Sequence, residues 1–130
     1  MSMFRTLDIA ASGMGLSRFW MDTIGHNLAN SNTVRSGDEE PFRAQMVLAR
    51  ERQGGGVEIA GAIRQEGDPT RVFDPAHPAS DDNGYVTLPV IDLAGQMTDL
   101  IVASRSYQMN LEVLRDAREA YQSALNLGRR

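Results

Sequence analysis

Two histidines and a dense group of amide side chains are the residues of this sequence best suited to chemistry. His26 follows Asp22 by four residues, and His77 lies in the stretch "DPAHP". A histidine that binds a metal or transfers a proton needs convergent partners, and neither stretch supplies them. We interpret His26 as a capping or interface residue and His77 as a loop residue. A small hydrolase using His26 with Asp22 is the weaker hypothesis, because no nucleophile motif or oxyanion-type loop accompanies the pair.

Other motif-like stretches also lack the spacing that chemistry requires. The segment "ASDDNG" has carboxylates but not the twelve-residue pattern of a calcium loop. The segment "QGGGVE" lacks the Gly-Lys-Ser/Thr ending of a phosphate loop. There is no cysteine, which excludes disulfides and thiolate chemistry. The sequence therefore predicts no catalytic residues, no metal, no cofactor and no small-molecule substrate.

The amide cluster "GHNLANSNT" spans residues 25–33 at the end of a helical pattern. Asn27 and Asn30 are three residues apart, so they share one face of a helix. Asparagine both donates and accepts hydrogen bonds, and it tolerates the left-handed conformation that stops helices. We expect these side chains to cap their own helix and to bond neighbouring subunits, with a purely local cap as the alternative. On the first hypothesis, Asn30→Ala weakens assembly more than folding.

A heptad pattern over residues 3–28 predicts the helix that precedes this cluster. Steps of four and three residues separate its members, and seven of the eight are apolar. Ser2 is a plausible N-cap. Gly13, Gly15 and Gly25 interrupt the helix at about 1 kcal/mol each, and they would let a neighbouring helix approach closely. The heptad positions are Met3, Leu7, Ala10, Met14, Ser17, Met21, Ile24 and Leu28.

A second heptad pattern predicts a helix over residues 93–125, with Asp92 as its N-cap and Gly128 at its end. Its positions are Leu93, Met97, Leu100, Ser104, Tyr107, Leu111, Leu114, Arg118, Tyr121 and Leu125. Between the two helices, residues 41–52 and 56–65 read as strands around "QGGG", and "TRVF" and "YVTL" read as shorter strands.

The predicted fold class is mainly α with a small β insertion. The long N- and C-terminal helices pair as an antiparallel coiled-coil-like bundle, with a short β-hairpin region between them. We divide the chain into an N-terminal helix with its Asn-rich cap (1–34), a β-rich insertion with loops (35–89), and a C-terminal helix (90–130). So thin an insertion leaves little compact core, which indicates completion by neighbouring chains.

Composition restricts the possible partners of the chain. It has 130 residues and a net charge of −4, and all 13 basic residues are arginine. The whole of that charge lies in residues 35–89, because the two ends are neutral. An acidic balance argues against nucleic-acid binding. No apolar run reaches the roughly 20 residues of a membrane span, and the N-terminus lacks the features of a secretory signal.

The two heptad patterns and the amide cluster together predict a subunit interface. Phe19 and Trp20 lie off the main seam, where aromatic side chains would anchor a second packing face. Arg118 breaks the apolar C-terminal seam and is expected to pair with an acid on a neighbour. The predicted interface residues are Leu7, Met14, Phe19, Trp20, Met21, Leu28, Asn27, Asn30, Thr33, Leu100, Tyr107, Asn110, Leu111, Leu114, Arg118, Tyr121 and Leu125.

Both ends of the chain resemble the flagellar basal-body rod family. The stretch "TLDIAASGMGLSRFWMDTIGHNLANSNT" carries the residues of that family's N-terminal signature, and "SRSYQMNLEVL" is similar to its second helix. The chain departs from the family in the loop after this signature. Longer rod and hook proteins continue with a Gly-Tyr type of sequence, whereas this chain has "VRSGDEEPF", in which Phe42 stands where an aromatic residue is expected. The matching signature residues are Arg18, Met21, Asn27, Leu28, Ala29, Asn30 and Thr33.

The resemblance implies a non-enzymatic structural subunit of the proximal rod, which polymerises through its terminal helices to form the axial drive shaft and the wall of the export channel. Its partners would be other rod proteins, the inner-membrane ring and the export apparatus. It would lie in the periplasmic part of the basal body, exported by the flagellar type III system without a cleaved signal. The alternative is a cytosolic coiled-coil adaptor that binds a partner helix.

Overall fold

The computed structural model describes residues 3–37 and 39–128, so the predicted cap at Ser2 lies outside the described residues. Within these residues, two long helices flank five strands. In chain order the elements are α1 (Met3–Ala29), β1 (Arg35–Ser36), β2 (Gln45–Glu51), β3 (Val57–Arg64), β4 (Thr70–Phe73), β5 (Tyr85–Leu88) and α2 (Leu93–Leu127). The predicted arrangement of two terminal helices around a small antiparallel β region is confirmed.

The helices α1 and α2 lie side by side in opposite directions. Near the end of α1, the Asn27 side chain bonds Gln96 at the start of α2. Midway, the Ser17 hydroxyl is 3.1 Å from that of Ser106. Near the start of α1, the Phe4 ring meets the Tyr121 ring edge-on at 6.0 Å. The pairing is therefore antiparallel, while its coiled-coil character stays a prediction.

Small side chains form the centre of the contact between the two helices. Ala10 and Ser17 of α1 and Ala103 of α2 are all buried. A Cβ atom built on Gly13 would lie 2.9 Å from the Asn110 side-chain amide, so a larger residue there would have to displace that amide. The expected close approach is thus confirmed at this position, whereas the corresponding space at Gly15 and at Gly25 is open.

Both ends of α2 form as the sequence predicts. The Asp92 carboxylate accepts a hydrogen bond from the Gly95 backbone N–H at 3.0 Å, which satisfies a free donor of the first turn. The helix ends at Gly128, whose N–H donates to the Ala124 carbonyl. Gly128 has φ −76°, so it ends the helix without adopting the left-handed conformation. No helix in residues 3–37 and 39–128 combines the length and apolarity needed to span a membrane.

Strands β2 and β3 form an antiparallel hairpin that packs on α1. Its turn runs through Gly54–Gly56. All three glycines have positive φ, a backbone conformation that other residues rarely adopt. The Ser12 hydroxyl of α1 accepts the Val57 N–H at 3.1 Å, and Asp8 pairs with Arg52. These contacts hold the hairpin against one side of α1.

Strands β1, β5 and β4 form a second antiparallel sheet, in that order. Its organising side chain is the buried Asp81 carboxylate, which accepts the backbone N–H groups of Tyr85 and Asn83 and pairs with Arg71 at 2.7 Å. A Cβ atom on Gly37 would fall 2.1 Å from this carboxylate, so residue 37 must be glycine. Strand β1 was not predicted, because two residues carry no strand periodicity.

The pKa of Asp81 provides a test of this arrangement. The Tyr85 N–H lowers it most, Asn83 and Arg71 lower it further, and burial acts in the opposite direction. A carboxyl group with a lowered folded-state pKa stabilises the fold above its unfolded value of about 3.9, and that stability is lost as pH falls through the folded-state value.

We expect the unfolding free energy of the wild-type chain to decline below about pH 4, with a shallower decline in Asp81→Asn. Urea titrations followed by circular dichroism between pH 2 and 7 measure this. Asp82→Asn is the matched control, because Asp82 is exposed beside it. An identical decline in Asp81→Asn and the wild type contradicts the stated role of Asp81.

The two central glycines of α1 provide a second test. Gly15→Ala should raise the unfolding free energy by about 1 kcal/mol, because alanine favours a helix by that amount and meets no neighbour. Gly13→Ala should raise the unfolding free energy by less than this, or lower it, because the new Cβ atom displaces the Asn110 side chain. Urea unfolding of both variants measures the difference, and equal gains at the two positions would refute the close approach.

Candidate functional site

The histidines lie apart, and each has a local role. The His26 ring lies on the last turn of α1 and meets the Phe42 ring edge-on at 5.3 Å. The Nδ1 atom of His77 accepts the Ala79 N–H at 3.0 Å within its loop. Across the described part of the chain, no three His, Cys, Asp or Glu side chains are grouped so as to hold a metal ion.

Asn27 joins three elements through one side chain. It is 1% exposed. Its Nδ2 atom donates to the Gln45 carbonyl and to the Gln96 side-chain oxygen, both at 2.8 Å, and its Oδ1 atom accepts the Gln45 N–H, also at 2.8 Å. The end of α1 is thereby bonded to the first residue of β2 and to the first turn of α2.

Asn30 has a separate, local role. Its Nδ2 atom donates to the His26 carbonyl at 2.9 Å, and its Oδ1 atom accepts the Thr33 hydroxyl at 3.2 Å. Asn30 therefore caps its own helix, as predicted. It does so without the left-handed conformation, since every described residue with positive φ is glycine. The prediction that Asn27 also caps its own helix is wrong, because its amide bonds Gln45 and Gln96 instead. Contact between Asn27 or Asn30 and a neighbouring subunit stays a prediction.

The predicted interface residues fall into three groups by exposure. Asn27 is buried, whereas Arg118, Tyr121 and Leu125 are exposed on the last third of α2. The others are half-buried, and they are Leu7, Met14, Phe19, Trp20, Met21, Leu28, Asn30, Thr33, Leu100, Tyr107, Asn110, Leu111 and Leu114.

An open cavity of about 430 Å³, which we name the groove, lies between the start of α1 and the last third of α2. Its walls are apolar, with the Arg115 side chain at one side. The other lining residues are Phe4, Leu7, Leu111, Leu114, Arg118 and Tyr121. Five of these six were among the predicted interface residues, and the structure brings them together. Phe4 was not.

The sequence analysis missed an exposed apolar line on the opposite flank of α2. We name it the α2 stripe and define it as Val102, Met109, Val113 and Leu127. These positions are seven, four and fourteen residues apart, which keeps them on one side of a helix. That spacing was readable from the sequence, but the predicted heptad series lay on a different side. The sequence also gave no indication that Asn27 bonds Gln45 and Gln96.

Comparison with known proteins defines the class of this fold. Residues 82–127, which contain β5 and α2, match the family model described as "Flagellar basal body rod FlgEFG protein C-terminal". The class is that of flagellar basal-body rod proteins, which is a class of structural proteins and not of enzymes.

Curated relatives of nearly the same length identify the family within that class. The flagellar basal-body rod protein FlgC of Salmonella typhimurium (strain LT2) is 35% identical, covering 98% of this chain and 99% of the relative. The FlgC proteins of Escherichia coli O157:H7 and Bacillus subtilis (strain 168) are 33% and 28% identical over similar shares. This chain therefore belongs to the FlgC family of flagellar basal-body rod proteins.

Removal of the Asn27 amide should destabilise the fold itself. In Asn27→Ala, the Gln45 backbone groups and the Gln96 side chain lose a buried partner, and each such loss costs about 1–3 kcal/mol. We expect the unfolding free energy to fall by at least about 2 kcal/mol in urea titrations.

Asn30→Ala is the matched control, because it removes a half-buried amide three residues away whose hydrogen bonds are all local. It should cost about 1 kcal/mol or less, since only a local cap is lost. Equal effects of the two substitutions would show that Asn27 does not join the three elements.

Proposed function

We propose that this chain is a structural subunit of the flagellar basal-body rod that polymerises through its two terminal helices. Membership of the FlgC family supports the rod role. The observation that supports polymerisation is the number of large apolar side chains of α2 that are exposed to solvent, from Leu93 through Met109 to Leu127. On one side of α2, Val102, Met109 and Val113 are exposed together, and an exposed apolar patch of this kind marks a site of protein–protein contact.

The division of the chain suits a tubular assembly. Residues 1–34 and 90–130 form the rod-core helices of the proposal, and residues 35–89 form an outward insertion that stiffens the wall. At 35 residues, α2 is about 50 Å long, which is long enough to contact several neighbours. Packing of rigid helices between subunits transmits torque along the drive shaft, and the helices line the export channel.

The finer location is part of the same proposal. We place the subunit in the proximal rod, in contact with other rod proteins, the inner-membrane ring and the export apparatus. It reaches the periplasmic space through the flagellar type III system without a cleaved signal. It acts on no small-molecule substrate, binds no nucleic acid and does not insert in the membrane.

The test is quantitative mass spectrometry of purified hook–basal-body complexes against the soluble cytosol of the same cells. We expect peptides of this chain to be enriched with the complexes at several copies each. A strain that lacks the chain, complemented with the wild-type gene, is the control for enrichment. Abundance in the cytosol with absence from the complexes would leave the coiled-coil adaptor as the function.

A further inference from the structure

We infer that the α2 stripe of one copy packs into the groove of a second copy of this chain. The inference rests on the proposed function and specifies its contact. It assigns two different faces of the chain to each other, the groove beside Phe4 and Tyr121, and the stripe centred on Met109 and Val113.

The two faces are both apolar and both open. Met109 is 65% exposed and Leu127 75% exposed on the stripe, while Phe4 is 68% exposed at the groove. The stripe offers Met109 and Val113 one helical turn apart. The groove, at about 430 Å³, holds side chains from such a turn but not a whole helix. A ridge of side chains entering a groove is the usual way in which helices pack.

The stripe of a chain cannot pack into the groove of the same chain. Val113 and Leu111 point about 160° apart around α2, given 3.6 residues per turn. The hairpin packs on α1. One flank of α2 therefore forms a wall of the groove while the stripe looks away from it, so a stripe that fills a groove belongs to another copy.

Charges beside the two faces are complementary. Arg118 lines the groove, and in the described part of the chain it has no ion-pair partner. Asp116 lies seven residues after Met109, beside the stripe, and is likewise without an ion pair among the described residues. Arg115 is already engaged by Glu112 at 2.9 Å. Arg118 of one copy and Asp116 of the next are thus placed to pair.

A contact between unlike faces is heterologous. Each added copy uses one groove and one stripe and leaves the other face free, so copies add head to tail and the contact does not close a dimer. A contact of stripe with stripe, or of groove with groove, would close after two copies. The separation of the two faces on α2 therefore selects head-to-tail addition, and in the proposed rod this addition continues as a helical array.

Engineered cysteines test the pairing cleanly, because the chain has none of its own. Cells lacking the native gene would express two differently tagged copies, one with Phe4→Cys and one with Met109→Cys. Purified basal bodies would then be treated with a short bis-maleimide linker. We expect a dimer that carries both tags, and none when either variant is expressed alone.

Met46→Cys, an exposed hairpin position, replaces Met109→Cys in the control and should give no dimer with Phe4→Cys. Dimers of Met109→Cys alone would overturn the inference, because they indicate a closed contact between like faces. Cross-links only to other rod proteins, or none, would also overturn it. If the mixed copies are incorporated but do not cross-link, the rod role stands and only this contact fails.

Charge reversal provides a second readout that does not depend on cross-linking. Arg118→Glu and Asp116→Arg should each lower the copies per basal body severalfold, and the double variant should restore them. Glu66→Arg, in the exposed loop after β3, is the control and should leave incorporation unchanged. Failure of the double variant to recover, with circular dichroism showing a normal fold, would contradict the proposed pair.

Discussion

The structure depends on one buried amide, that of Asn27. A backbone donor and acceptor at the start of β2 and a side chain at the start of α2 are all bonded to it. Because buried polar groups are expensive to leave unpaired, these three elements have little freedom to slide past one another. The amide sets the register of the helix pair from one end, and every contact further along α1 and α2 follows from that register.

Small side chains form the contact between the two helices, and this determines which apolar side chains stay exposed. Gly13 lies against the Asn110 side chain and Ser17 bonds Ser106, so little apolar volume is buried between the helices at these positions. Ile24 of α1 is buried, but several larger apolar side chains of α2, among them Ile101, Val102 and Met109, are exposed. A chain with this distribution leaves open apolar surface of the kind that protein–protein contacts bury.

Local patterns predicted the elements, but not what each face contacts. The heptads and caps found both helices, and the turn residues found the hairpin and the short strands β4 and β5. A heptad pattern does not distinguish a seam inside the chain from one between chains, so the complete burial of Ala103 was not foreseen. The partners of Asn27 lie 18 and 69 residues away, and no local signal indicates such bonds.

Register and length together explain the open end of the molecule. The Asn27 bond to Gln96 sets where the pairing begins, and it leaves Phe4 opposite Tyr121. Helix α2 has 35 residues against 27 in α1, so α2 continues past this point to Leu127. Leu125 and Leu127 extend beyond the described part of α1, and both are exposed. The same amide that organises one end of the chain thereby determines which apolar residues remain open at the other.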